Sequence, residues 1–256
     1  MQTKEQCFDS MLTLTADLFF SIENDLFKPY YESGPNEVKS VLDVGCGNGT
    51  YLSRLSDQFP MWRCTGIEMD DRIFRYAQLK AADHLTFIHT PYENYQSAEP
   101  FDCVIIRLAA AHLQDRTHFM HWLRHQLHPH SIVILIDVEE SLQLSLKQSE
   151  NLPLFSELYQ TMRKPLRASR LLSLKDSLLL ESEFAGFNPL KAVSYSINAD
   201  STKTRKQMYD YMQAVTGAYY GSPLPPKRQA ELNEWYNNEA ASFEVGLFGL
   251  VLGLKA

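Results

Sequence analysis

The chain has 256 residues, with 31 Asp+Glu against 24 Lys+Arg, a formal charge of -7 and a pI of about 5.6. Hydrophobic residues make up 45% and charged residues 21%, which describes a folded globular protein and excludes a disordered one. The acidic balance argues against a nucleic-acid partner, because a phosphate-binding surface needs a net basic face. The longest uncharged apolar stretch, Val245 to Leu254, has about ten residues against the roughly 20 that a bilayer span requires. The N-terminus lacks the apolar core and cleavage site of a secretory signal. Cys7, Cys46, Cys64 and Cys103 have neither metal-ligand spacing nor a disulfide framework. A cytoplasmic protein with no membrane partner is expected.

In chain order, residues 5 to 31 are periodic for helix, with Phe8, Met11, Leu12, Leu18, Phe19, Ile22 and Leu26 on one face. Ser33-Gly34-Pro35-Asn36 breaks the chain. Short apolar runs then alternate with amphipathic stretches. Val38–Val44 reads as strand, Thr50–Phe59 as helix, Trp62–Ile67 as strand, Asp71–Ala82 as helix and Leu85–Ile88 as strand. Phe101–Ile106 reads as strand, Arg116–Leu127 as helix and Ile132–Val138 as strand. Strands joined by helices in this way form right-handed crossovers onto a parallel sheet, so the fold class is α/β. Residues 139–172 are polar and helical in pattern, Leu174–Ala185 is helix, and Leu190–Ile197 is strand. Residues 199–240 are helical with a Gly/Pro-rich interruption, and Phe243–Leu254 closes the chain as strand.

The sharpest motif is Val41-Leu42-Asp43-Val44-Gly45-Cys46-Gly47-Asn48-Gly49-Thr50, where a buried strand runs through a glycine turn into a helix. Glycines suit such a turn because a Cβ would block close approach of a ligand to the backbone. Dinucleotide sites use G-x-G-x-x-G, but here the spacing is G-x-G-x-G and Thr50 occupies the third dinucleotide position. Asp43, two residues before the first glycine, would repel a pyrophosphate and attract an ammonium or sulfonium. About 20 residues after the turn, the second strand ends in Glu68, where a carboxylate can accept both hydroxyls of a ribose. The pair describes a nucleoside with a positively charged tail.

These residues make the chain resemble the class I S-adenosylmethionine-dependent methyltransferases, particularly their small-molecule branch. Leu42-Asp43-Val44-Gly45-Cys46-Gly47-Asn48-Gly49 resembles the first motif of that family. Phe101-Asp102-Cys103-Val104-Ile105-Ile106 resembles its fourth strand, and Leu108-Ala109-Ala110-Ala111-His112-Leu113 the segment after it. Leu127-His128-Pro129-His130-Ser131 stands where the family has L-x-P-G-G. The resemblance implies a Rossmann-like seven-stranded, mostly parallel sheet with an antiparallel last strand, and S-adenosyl-L-methionine as cofactor. It places Gly45, Cys46, Gly47 and Gly49 along the methionine part, Asp43 at the amino group and Glu68 at the ribose. The family's usual acid for the adenine amine is replaced by Pro91, so Tyr92 offers a backbone N–H and Met69 an apolar side chain to the ring. Arg107 and Leu108 would line the cleft near the transferring methyl.

Methyl transfer is an in-line displacement, so the protein aligns nucleophile and methyl and excludes water. A base is needed only for a protonated acceptor. His112, after the fourth strand, is the candidate, with a purely structural histidine as the alternative. Asp137, Glu139 and Glu140 follow the fifth strand, and Glu139 is the second candidate; a solvated loop acid is the alternative there. His118, His121, His125 and His128 share an arc of about 80° on the helix after the fourth strand. Phe119, Trp122, Leu123 and Leu127 take the roughly opposite arc, so the histidines face solvent and no metal site is expected.

The expected organisation is an N-terminal helical lid over 1–35, then a methyltransferase domain over 36–256 with helical insertions at about 139–172 and 199–240. The additions hold Tyr30, Tyr31, Tyr209, Tyr211, Tyr219, Tyr220 and Tyr236, which suit an organic acceptor or ordinary lid packing. Arg163, Lys164, Arg167 and Arg170 form a basic run that either attracts an anionic acceptor or lies in solvent. The reading is an enzyme that methylates a small-molecule substrate. A non-catalytic S-adenosylmethionine-binding regulator and a nicotinamide-dependent dehydrogenase are the rivals.

Overall fold

The structure is a computed structural model that describes residues 2–32, 39–139, 150–157, 160–161, 172–221 and 224–255. The chain divides into two compact units. A sheet unit comprises 21–138, 172–194 and 247–256, and a helical unit comprises 1–20, 139–171 and 195–246. The N-terminal helix α1 (Lys4–Glu32) contributes residues to both.

The sheet has seven strands: β1 (Ser40–Val44), β2 (Arg63–Glu68), β3 (Leu85–His89), β4 (Phe101–Arg107), β5 (Leu127–Val138), β6 (Phe187–Asn198) and β7 (Glu244–Leu254). Their order is β3-β2-β1-β4-β5-β7-β6. β1 to β5 pair in parallel, and β7 runs antiparallel to β5. The α/β class and the antiparallel last strand are as expected from sequence. Between the strands lie α2 (Thr50–Gln58), α3 (Asp71–Gln78), α4 (Arg116–His125) and α5 (Leu174–Phe184). Leu42, Val104, Ile106, Val133, Leu135 and Leu250 build the core with Phe119 and Leu123 of α4 and Phe187 of β6. The strand order reverses between β1 and β4, and open α/β sheets bind ligands outside the carboxyl ends of the strands at such a switch point.

Caps explain where the helices begin. Asp70 accepts from Arg72 N, Asp115 from His118 N and Ser173 from Asp176 N, each satisfying an orphan first-turn donor. α2 has no such cap: Gly49 precedes it in the left-handed region with no side-chain hydrogen bond.

Some boundaries differ from the sequence reading. β5 starts five residues early, at Leu127. Ser131 Oγ donates to Phe101 O at 2.6 Å and accepts from His128 N at 2.8 Å, so the histidine-rich segment is held beside β4 with a shift in register. His128 therefore belongs to β5 and not to the helix face assigned to it; His118, His121 and His125 are exposed on or at the end of α4 as expected. α3 stops at Gln78 because Lys80 N turns back to Ala77 O at 2.8 Å and Ala82 bridges to Leu85. β6 begins at Phe187 instead of Leu190.

In the helical unit, α6 (Thr202–Tyr220) and α7 (Pro226–Asn237) fall within the helical stretch expected over 199–240. Arg205 is buried among backbone carbonyls: its guanidinium donates to the oxygens of Ala199, Trp235, Asn238, Glu239 and Ala241 at 2.8 to 3.4 Å. Its charge also lies 4.7 Å from the Trp235 ring. Tyr209 stacks obliquely on Tyr236 at 4.8 Å and accepts from Gln229. Most of 139–172, with Glu140 and the run Arg163, Lys164, Arg167 and Arg170, lies outside the described residues. No helix among the described residues is long and apolar enough to cross a membrane.

Candidate functional site

The glycine turn after β1 is built as the sequence requires. Gly45, Gly47 and Gly49 have φ of 74°, 58° and 73°, a region in which an L side chain is strained. A Cβ on Gly45 would stand 2.8 Å from Ala109 Cβ, and one on Gly49 would stand 2.6 Å from the Phe87 ring. The turn is pinned to β2, since Gly45 N and Cys46 N both donate to Ile67 O, at 2.9 and 3.0 Å. Lys80 Nζ holds it from beyond α3 through Asn48 O at 2.8 Å.

Glu68 closes the loop from the end of β2. Its carboxylate accepts Gly47 N–H at 2.9 Å on one oxygen and Asp70 N–H at 2.8 Å on the other. Each oxygen keeps a further lone pair, so hydrogen bonding to a diol is still possible. Met69, beside it, is 71% exposed.

Asp43, on β1 below the turn, is 2% exposed, and its Oδ1 is buried with no hydrogen-bond partner. Burial pushes its pKa from 3.8 to about 7; Arg107 opposes this and Glu68 adds to it. A buried carboxylate oxygen without a donor is costly. It lies two residues before the first glycine of the turn, and a cationic donor is the chemical partner that such an oxygen lacks. Burial also pushes the Cys46 thiol well above its usual range, with Asp43 and Glu68 reinforcing the shift, so the thiol stays neutral near pH 7.

The end of β4 is strained. Leu108 has φ of 58°, the only such non-glycine among the described residues, and its N–H is held by Ile136 O at 2.7 Å. Strain of this kind costs about 1–3 kcal/mol and clusters at functional sites. Arg107, placed at the cleft by the sequence reading, turns its side chain to Glu23 of α1. Nε and Nη2 reach the carboxylate at 2.9 and 3.2 Å, and the guanidinium carbon lies 4.7 Å from the Tyr51 ring. The Arg107 and Glu23 side chains are 7% and 0% exposed. Sequence reasoning misses Glu23, although one signal is present. It shares a four-residue spacing with Phe27 and Tyr31, all buried, so a carboxylate stands where the helix pattern calls for an apolar residue.

His112 ends a short 3₁₀ turn, Ala110–His112, and is exposed. Asp137 fixes that turn: one oxygen accepts Ala111 N–H at 3.1 Å and the other accepts Val138 N–H at 2.7 Å. Glu139 follows β5 in the helical unit, buried at 7% exposure, with its N–H donated to Gly246 O. Tyr92 begins another 3₁₀ turn and packs edge-on against Phe119 and Trp122. Among the described residues, no cluster of three His, Cys, Asp or Glu side chains could hold a metal ion.

Comparison with known proteins agrees with this arrangement. Residues 41–130 match a family model described as a methyltransferase domain. The ribosomal RNA small subunit methyltransferase G of Pseudomonas putida strain GB-1 is 34% identical over 94 residues, 35% of this chain and 42% of that protein. The chain thus spans less than half the length of the curated relatives it matches. Among solved structures, the plantazolicin methyltransferase BpumL, in complex with S-adenosylhomocysteine (SAH) and a desmethylplantazolicin analogue, superposes with TM-score 0.53 at 19% identity, covering 96% of this chain and 86% of that one. A putative methyltransferase from Bacillus halodurans gives 0.59 at 15% identity, over 92% and 100%. A Haemonchus contortus phosphoethanolamine N-methyltransferase gives 0.61 at 11% identity, over 100% and 61%. The chain has the class I methyltransferase fold.

Proposed function

We propose that the protein is an S-adenosylmethionine-dependent methyltransferase acting on a small-molecule acceptor. The observation that carries this reading is the buried, donorless Oδ1 of Asp43 just before a turn of three positive-φ glycines, of which Gly47 is tied to Glu68. Asp43 takes the amino group of the cofactor, and Gly45, Cys46, Gly47 and Gly49 present bare backbone to its methionine part. Glu68 offers its remaining lone pairs to the ribose. Met69 and the Tyr92 segment would hold the adenine, and Leu108 would lie beside the reacting centre. S-adenosylmethionine, when bound, supplies a methyl on a sulfonium for in-line displacement. His112, on the turn that Asp137 fixes, takes the proton of an acceptor that arrives protonated. Glu139 is the second candidate for that role.

Acceptor choice is assigned to the additions at 1–35, 139–172 and 199–240, which lie outside the matched methyltransferase domain. The net charge of -7 supports a small acceptor over RNA, since neutralising phosphates needs clustered Lys and Arg. Calorimetry with S-adenosylmethionine and SAH tests the cofactor: no binding at roughly 100 μM, a weak affinity on the general scale, overturns the reading. Transfer of labelled methyl from the cofactor is then compared between a metabolite extract and purified ribosomal RNA. Label in the RNA alone overturns the small-molecule assignment.

A further inference from the structure

Three charged side chains lie along one face of the sheet unit, close to the glycine turn. Asp43 of β1 pairs with Ile105 of β4, and Arg107 lies two residues further along β4, on the same face. Arg107 in turn pairs with Ile136, and Ile136 with Gly249. At Gly249 a Cβ would stand 2.4 Å from the ring of Phe27, so α1 crosses this row with Phe27 seated on the glycine. Glu23, one helical turn earlier, meets Arg107. The row therefore reads carboxylate, guanidinium, carboxylate, and all three groups are nearly inaccessible to water.

The formal charges of Glu23, Arg107 and Asp43 sum to -1. Arg107 is the cation placed to neutralise Asp43, and its field already acts on that carboxyl. If its fork closed on Asp43, the site would be internally satisfied and a ligand ammonium would have to displace a buried ion pair. Instead Nε and Nη2 are committed to Glu23, and Asp43 Oδ1 remains without a donor. A bidentate Arg–carboxylate pair in a low-dielectric setting is strong enough to hold the guanidinium in one geometry.

We propose that Glu23 is a positioning residue that holds Arg107 away from Asp43 and so keeps the ammonium socket open. This rests on the cofactor assignment above and deepens it. Glu23 touches no substrate; it acts by occupying the arginine that would compete with the ligand. The other groups facing Asp43 are Glu68 and Cys64 of β2, Cys103 of β4, Tyr51 of α2 and Cys46 of the turn. Burial holds the three thiols and the phenol above their usual ranges, so they stay neutral near pH 7. Glu68 and Arg107 are then the charges that set the field at Asp43.

The test is the SAH dissociation constant of three proteins between pH 5.5 and 7.5, a window in which the ligand's own α-amino group stays protonated. The wild type should weaken several-fold as pH falls through that window, as Asp43 takes up its proton. Glu23→Gln should bind at least tenfold more weakly at pH 7.5 and lose most of the pH dependence, because Arg107 turns to Asp43. Glu23→Gln combined with Arg107→Met, which removes the competing cation together with its buried partner charge, should regain affinity to within about threefold of wild type at pH 7.5. Wild-type affinity and pH profile in Glu23→Gln overturn the proposal, as does equal weakness of the single and double variants. If Glu23→Gln does not fold, by circular dichroism, the double variant decides alone: a loss beyond tenfold overturns the proposal. Failure of the wild type to bind SAH at all is a different result, and it overturns the cofactor assignment.

Discussion

The substitution Asp43→Asn should change how the stability of the protein depends on pH, in a direction opposite to that of most acidic residues. Most carboxylates are stabilised as anions by folding and lose that stability in acid. Asp43 is the reverse, because burial raises its pKa from 3.8 to about 7. Its contribution is fully present below about pH 3.8 and is lost as pH rises through about 7. A shift of this size corresponds to about 4 kcal/mol in total, of which roughly 2.5 kcal/mol falls between pH 5 and 8.5. The amide that replaces the carboxyl in the variant does not titrate. Chemical unfolding of both proteins at pH 5 and 8.5 should therefore show the variant gaining roughly 2.5 kcal/mol on the wild type across that interval, whatever constant offset the amide introduces. Saturating SAH should stabilise the wild type, by about 2.7 kcal/mol at a hundred times its dissociation constant. That stabilisation should grow with pH toward 7.5 and be largely absent in the variant. Parallel pH dependences in the two proteins would refute the reasoning, since they would mean that Asp43 titrates as an ordinary exposed carboxyl.

Other expectations follow from single contacts. Gly45→Ala places a Cβ against Ala109 at a φ of 74°. It should cost about 1 kcal/mol or more in strain and reduce SAH affinity at least tenfold by calorimetry; unchanged affinity would remove the turn from the site. Arg205→Met leaves five carbonyls of the helical unit without their charged donor and should lower stability by about 3 kcal/mol or more, read as a drop in melting temperature. His112→Ala, at an exposed position, should leave SAH affinity unchanged and reduce turnover by about 10²–10⁴ if the acceptor must lose a proton; unaltered turnover assigns the proton elsewhere.

The central strands were legible because each carries an apolar run bounded by turn residues, and parallel strands buried on both faces leave a continuous pattern; β6 instead alternates between exposed and half-buried positions. The glycine turn and Glu68 were legible for a different reason: their chemistry is local, set by spacing along the chain. What periodicity missed was decided by contacts between distant residues. Leu127-His128-Pro129-His130-Ser131 looks like the end of a helix and a turn, yet Ser131 ties it into the strand through Phe101, 30 residues away. Glu23 and Arg107 are 84 residues apart, so the reading that set Arg107 at the cleft had no sign of the carboxylate that takes its side chain. Asp137, grouped with Glu139 and Glu140 as an acid at the strand end, serves the backbone of the turn before His112. Tyr31, counted among the lid tyrosines, packs instead against Phe59 and Trp62 in the sheet unit.

Gly249 turns α1 into an indexed part. The ring of Phe27 drops into the notch that the missing side chain leaves in β7, so the helix cannot slide along the sheet without lifting that ring out. Glu23 stands four residues before Phe27, and the notch thereby fixes which helical residue stands over the end of β4. Inserting one residue between them would swing Glu23 by about 100° around the helix axis while leaving Phe27 in place. The interval between positions 23 and 27 thus works as a ruler, transferring the location of a glycine on the last strand to the charge state of an aspartate on the first.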